Sequence, residues 1–200
     1  MRCRLALSLV TAFALQGTLG GASLDQVRDG PLTLELRVFN GSEEVTPHTR
    51  ITVHRAGERG DPLMHTTSAD GRAQVQVPAG LYDVQAVHER DGRVVNIKWA
   101  NRLVVMAYPD ERGHHLEVVN FRSGFGALQI RTQDGARPDV SLYETGQRNK
   151  PAAAPVVGVS YVLFVVPAGT YDLQANAAGR TSWHNGLEVP LDRTRFWILP

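Results

Sequence analysis

The chain of 200 residues holds a single cysteine, Cys3, and only two lysines, Lys98 and Lys150. One thiol excludes an internal disulfide and any cysteine-based zinc site. No stretch beyond the first twenty residues is apolar enough, for long enough, to read as a membrane-spanning helix. Charge of one sign is also missing. There are 21 basic and 20 acidic residues, and Arg2 and Arg4 are the only charges in residues 1–22, so the chain from residue 23 onward carries a net charge of −1. A near-neutral chain argues against electrostatic binding of nucleic acid or of an anionic membrane. Sustained helical periodicity is absent throughout.

The N-terminus reads as an export signal. Arg2 and Arg4 precede an apolar run from Leu5 to Leu15, and Gly20-Gly21-Ala22 supplies small residues for cleavage after Ala22. Cys3 lies ahead of that run, so it is not placed as a lipidated residue. Export without disulfides suits a bacterial envelope protein, periplasmic or secreted, better than a small animal ectodomain.

What is present is repetition. Val77-Pro78-Ala79-Gly80-Leu81-Tyr82-Asp83-Val84-Gln85-Ala86 returns 89 residues later as Val166-Pro167-Ala168-Gly169-Thr170-Tyr171-Asp172-Leu173-Gln174-Ala175. A second phrase, Trp99-Ala100-Asn101 with Leu103 and Val105, is matched by Trp183-His184-Asn185 with Leu187 and Val189. Such self-similarity predicts two copies of one structural unit. Strand periodicity runs through both copies. Leu32, Leu34, Leu36 and Val38 alternate with Thr33, Glu35 and Arg37, which the pattern assigns to solvent. Ala73, Val75 and Val77 alternate with Arg72, Gln74 and Gln76. Asn40-Gly41, Asp70-Gly71, Asp91-Gly92, Asp134-Gly135 and Ala178-Gly179 supply turns. Gly80 is expected to take a backbone angle that a Cβ would resist. The predicted fold is all-β: two tandem β-sandwich units of about seven strands each, residues 32–121 and 126–199, after the signal peptide.

The pattern of alternating strands, Asp-Gly turn, Val-Pro-Ala-Gly-x-Tyr-Asp and returning strands resembles the carboxypeptidase-regulatory-like group, whose members have a transthyretin-like, or prealbumin-like, β-sandwich. It is most similar to tandem repeats that trail von Willebrand A modules in secreted bacterial proteins. There a Phe-containing strand closes one unit and Ser-Gly-x-Leu-like residues open the next, as Asn120-Phe121-Arg122-Ser123-Gly124 and Gly126-Ala127-Leu128 do here. The resemblance implies an Ig-like sandwich and a non-catalytic role. Enzymes on transthyretin-like folds do not match: the hydroxyisourate hydrolases end in Tyr-Arg-Gly-Ser, whereas this chain ends Arg195-Phe196-Trp197-Ile198-Leu199-Pro200.

Side-chain chemistry is sparse. His114-His115 should point to opposite faces of a strand, and reads as a surface pair rather than a metal site. His54, His65 and His88 are single residues on strands, expected at solvent or at edges. Asp110-Glu111, Asp134 and Asp139 fit solvated turns better than a calcium site. Asp83 and Asp172 recur at one place in both units, which suits a structural tether to the backbone or simply an outward-facing residue. No catalytic residue, metal site or cofactor is expected. The informative difference between the copies lies at Arg72, Gln74 and Gln76, which become Tyr161, Leu163 and Val165, while His54 becomes Tyr143. These four apolar or aromatic residues, Tyr143, Tyr161, Leu163 and Val165, form the expected interface, either an internal joint between units or a docking surface. Trp183, Asn185 and Trp197 are candidates for contact with a glycan, because flat indoles stack on sugar rings. The expected role is adhesion, scaffolding or protein–protein interaction at the cell envelope, with a secreted or envelope protein as partner. Polysaccharide binding is the alternative, and a hydrolase or metal-dependent enzyme comes third.

Overall fold

The computed structural model describes residues 30–67, 73–106 and 113–199. The export signal, the Asp70-Gly71 turn, Arg72 and Asp110-Glu111 lie outside the described residues. Strands account for nearly all regular structure there. In chain order they are β1 (Leu32–Asn40), β2 (Glu43–Glu44), β3 (Thr49–Arg55), β4 (Met64–Thr67), β5 (Ala73–Val77), β6 (Gly80–Arg90), β7 (Arg93–Val105) and β8 (His114–Asn120). Then follow β9 (Phe125–Thr132), β10 (Asp139–Glu144), β11 (Val156–Val157), β12 (Val162–Pro167), β13 (Gly169–Ala177), β14 (Arg180–Val189) and β15 (Thr194–Leu199). A 3-10 turn at Thr46–His48, with Pro47 near its start, is the one helical element among the described residues.

The topology repeats. β1 is flanked by antiparallel β5 and parallel β8, and β9 is flanked by antiparallel β12 and parallel β15. β3, β6 and β7 form one antiparallel run, and β10, β13 and β14 form its counterpart. The copies diverge at the third strand: β4 pairs with β3, whereas β11 pairs with β12 on the opposite sheet.

The repeated phrases now have a physical reason. Pro78 ends β5, and the Tyr82 hydroxyl reaches back to donate to the Pro78 carbonyl at 2.7 Å; Tyr171 does the same to Pro167 at 2.7 Å. Gly80 and Gly169 do not take left-handed backbone, contrary to the sequence expectation. Their nearest neighbours are the rings of Tyr82 and Tyr171, at 3.6 and 3.8 Å from where a Cβ would stand. Asp83 is buried and accepts from the backbone N–H of Gly57 and Arg102; Asp172 accepts from those of Gly146 and Gly186. Arg102 (φ 57°) and Gly186 (φ 72°) are left-handed, and the strand register shifts opposite each buried aspartate. A carboxylate accepting two amides holds each irregular strand in place.

Three apolar layers separate the four sheets. Leu34, Leu36, Val38, Ile51, Val53, Val84 and Ala86 fill the layer between the β1 and β3–β6 sheets. Leu128, Ile130, Leu142, Phe164 and Leu173 fill the layer between the β9–β12 and β13 sheets. Strand parity builds the third. Odd-numbered Phe39 on β1, even-numbered Leu116 on β8, odd-numbered Ala127 on β9, Tyr161 just before β12, and Leu163 and Val165 on β12 face away from those cores and meet one another. Both faces of β1 and of β12 are therefore covered, which is why Val162-Leu163-Phe164-Val165-Val166 is a continuous apolar run rather than an alternating one.

Candidate functional site

The third layer is where the chain's charged chemistry gathers. Glu35 and Arg37, assigned to solvent by alternation, are buried because the second half of the chain covers that face of β1. One Glu35 carboxylate oxygen accepts from Arg37 Nε at 2.9 Å and from the Tyr161 hydroxyl at 2.8 Å. The other accepts from His114 Nε2 at 2.9 Å and Gln74 Nε2 at 3.3 Å. Arg37 Nη1 also donates to Glu44 at 3.0 Å. Burial alone would push the Glu35 carboxyl up, but hydrogen bonds from His114 and Tyr161, with the charge of Arg37, outweigh it and hold the group at about 2. Burial, and then the Glu35 charge, push the Tyr161 phenol up.

His114 bridges to the second half. With Nε2 facing a carboxylate, Nδ1 faces Arg131 Nη2 at 3.2 Å, and the ring satisfies both only as the Nε2–H tautomer. Arg131 lies 5.8 Å from the Tyr161 ring centre and 5.5 Å from that of Phe196. The buried Gln129 amide, with its oxygen turned toward Arg131, accepts from Nε at 3.1 Å and Nη2 at 2.9 Å. Glu35, Arg37, Gln74, His114, Arg131 and Tyr161 line an open cleft of about 490 Å³ at the boundary between the two halves.

The residues predicted as one interface separate into two places. Tyr161, Leu163 and Val165 are buried against Phe39, Leu116 and Ala127, so they offer no free docking surface. The chain's own first half covers them. Tyr143 is elsewhere, on β10, where its ring meets Trp183 at 5.3 Å and its hydroxyl donates to Gln174.

The glycan candidates are already engaged. The Arg148 guanidinium sits 4.1 Å from the Trp183 ring centre and donates to Asn185 at 2.8 Å. Arg59, Trp99 and Asn101 repeat that arrangement at 4.4 and 3.0 Å. A sugar stacking on that indole face would have to displace a bonded guanidinium. Trp197 is half-buried against the second core and meets His184 edge-on at 4.8 Å.

The histidines also differ from expectation. His115 is buried and bonded to Glu117 at 3.0 Å, and His114 is half-buried in the cleft, so the two are no surface pair. His54 is buried against Trp99 at 5.7 Å, while His65 stays exposed beside Thr52. Asp134 caps the Ala136 amide and Asp139 accepts from Asn176. Among the described residues no three metal-ligating side chains converge. Sequence reasoning missed Glu35, Arg37, Gln129 and Arg131. The signal for them was the doubly apolar β12 run, which demanded a covering partner for its second face.

No protein-family model matches the chain, and no curated protein matches it. Solved structures show a distant likeness. The Bacillus anthracis TIE protein is 18% identical with a TM-score of 0.31, over 84% of this chain and 33% of that one. This chain thus spans about a third of that protein's length. A minor pilin of Streptococcus agalactiae is 11% identical (TM-score 0.28, 84% and 94% covered). A tip fimbrial protein of Porphyromonas gingivalis is 9% identical (TM-score 0.30, 85% and 96% covered). Scores this low do not establish a shared fold, and the functional reading rests on this chain's own geometry.

Proposed function

We infer that the chain is an exported, non-enzymatic protein of two transthyretin-like β-sandwich units, residues 32–121 and 126–199, and that it acts in adhesion or scaffolding at the bacterial cell envelope by docking a protein partner. The observation that carries this reading is β7. It is 13 residues long and ends its sheet, pairing with β6 alone among the described residues. Val94 and Val95 are 53% exposed and Ile97 is 60% exposed. Successive strand residues point to opposite faces, so the end of the β6–β7 hairpin is bare on both. A long apolar edge strand is a template for another strand. Between Arg93 and Val105 the strand carries no acid; Lys98 is paired with Asp192 at 3.2 Å, while Arg93 and Arg102 are exposed. Two copies pairing through β7 would bring like charges together, whereas an extended segment of acidic and apolar residues complements it. The partner is therefore a protein offering such a strand.

The test is affinity capture from the native envelope with the wild-type chain and with a Val95→Glu/Ile97→Glu variant. Both substitutions are at exposed positions, so the variant should fold. A partner held by the wild type and lost by the folded variant supports docking at β7. A partner retained by the variant, or none in either case, overturns it.

A further inference from the structure

The cleft at the boundary holds a cation, Arg131, that is paired with no carboxylate among the described residues. Glu35 is balanced by Arg37, which Glu44 also contacts. Arg131 has no carboxylate within salt-bridge distance among the described residues. Its acceptors are neutral: His114 Nδ1 takes one Nη2 hydrogen, and the turned Gln129 oxygen takes the other together with Nε–H. Nη1 has no protein acceptor among the described residues, leaving two N–H donors. Neutral bonds on one side and aromatic rings nearby fix the guanidinium without discharging it, and the group lines a cavity open to solvent. A fixed, partly desolvated guanidinium with free donors is preorganised for an oxyanion.

We propose that this cleft is a carboxylate-binding site with Arg131 as its anchor. The charge balance selects the class. The charged side chains that line the cleft, Arg37 and Arg131 against Glu35, leave one positive charge, which matches a monoanion, and the Glu35 carboxylate on the same wall disfavours a phosphate dianion. The rest of the lining, Gln133 and Ser160 beside Val159 and Ile198, offers hydrogen-bonding groups next to apolar surface. That combination, in a cavity of about 490 Å³, suits a carboxylate on a compact body of hydroxyls or amides. The same chemistry is found in a sugar acid and in an acidic amino-acid side chain.

The experiment titrates the folded chain with sodium galacturonate, with N-acetylglutamate and, as the uncharged control, with galactose, at constant ionic strength, following amide shifts by NMR. Saturable shifts with at least one carboxylate and none with galactose are expected. The responding compound distinguishes a glycan source from a peptide source. Arg131→Gln should weaken binding about tenfold or more. Because Arg131 also supports the boundary, Ser160→Asp is the second variant. It sets a fixed negative charge in the cleft without removing any bond to His114, and it should weaken binding comparably. No saturation with either carboxylate, equal response to galactose, or wild-type affinity in both folded variants would overturn the site. Each outcome can be read whether or not β7 docks a partner.

Discussion

Glu35 is the residue on which the boundary turns. A carboxylate out of water is costly unless its oxygens are filled, and here four donors fill them. Its folded-state pKa of about 2 lies below the ordinary value of 4.5. The unfolded chain therefore takes up this proton first as pH falls. The stabilisation is complete above about pH 4.5 and lost as pH falls toward 2. It is on the order of 3 kcal/mol by linkage. Glu35→Gln should flatten the fall in melting temperature between pH 4.5 and 2, measured by circular dichroism. A slope unchanged from the wild type would remove Glu35 from that role. Tyr161→Phe removes one donor and should cost about 1–3 kcal/mol in urea denaturation. The alternation rule put Glu35 in water because alternation knows only one core. Nothing local to Thr33-Leu34-Glu35-Leu36-Arg37 reveals a second covering layer.

At the scale of elements, the repeated phrases were legible because their causes are local. Tyr82 bonds to a carbonyl four residues earlier, so Pro-Ala-Gly-x-Tyr carries its own geometry. Asp83 is harder to read: its amides belong to Gly57 and Arg102, distant in sequence, and only its recurrence as Asp172 hinted at a tether. Gly126 shows a constraint no pattern exposes. A Cβ there would overlap the Pro190 carbonyl and crowd Val189, which belong to the loop and strand before β15. Backbone cannot move aside as a side-chain tip can, so Gly126→Ala should destabilise the chain by about 1–3 kcal/mol. Gly57→Ala bears on a turn with open space around it, and any cost there comes from its left-handed backbone alone. Equal melting temperatures for Gly126→Ala and the wild type would refute the close approach.

Across the whole molecule, the boundary is a third core. Leu163 is fully buried there, and Leu163→Asp places a charge among Phe39, Leu116 and Val165. The expected loss is about 3–5 kcal/mol, read as a lower urea midpoint by tryptophan fluorescence. A variant as stable as the wild type would show that the two halves do not depend on this layer. The substitution lies far in sequence from Val95 and Ile97, so effects of the joint and effects of the β7 edge can be separated by comparing the two variants.

The sequence by itself determined the strands, most turns and the duplication, because alternation, Asp-Gly and Asn-Gly pairs and the tyrosine phrase act over a few residues. It also marked Tyr161, Leu163 and Val165 as the place where the copies differ. Only the tertiary structure decided what covers them. It carried Tyr143 away to Trp183, laid Arg148 on that indole, and turned Glu35, His114 and Arg131 into one network. Those contacts join residues up to 126 positions apart. Their energy depends on which sheet faces come together, and strand periodicity carries no information about that.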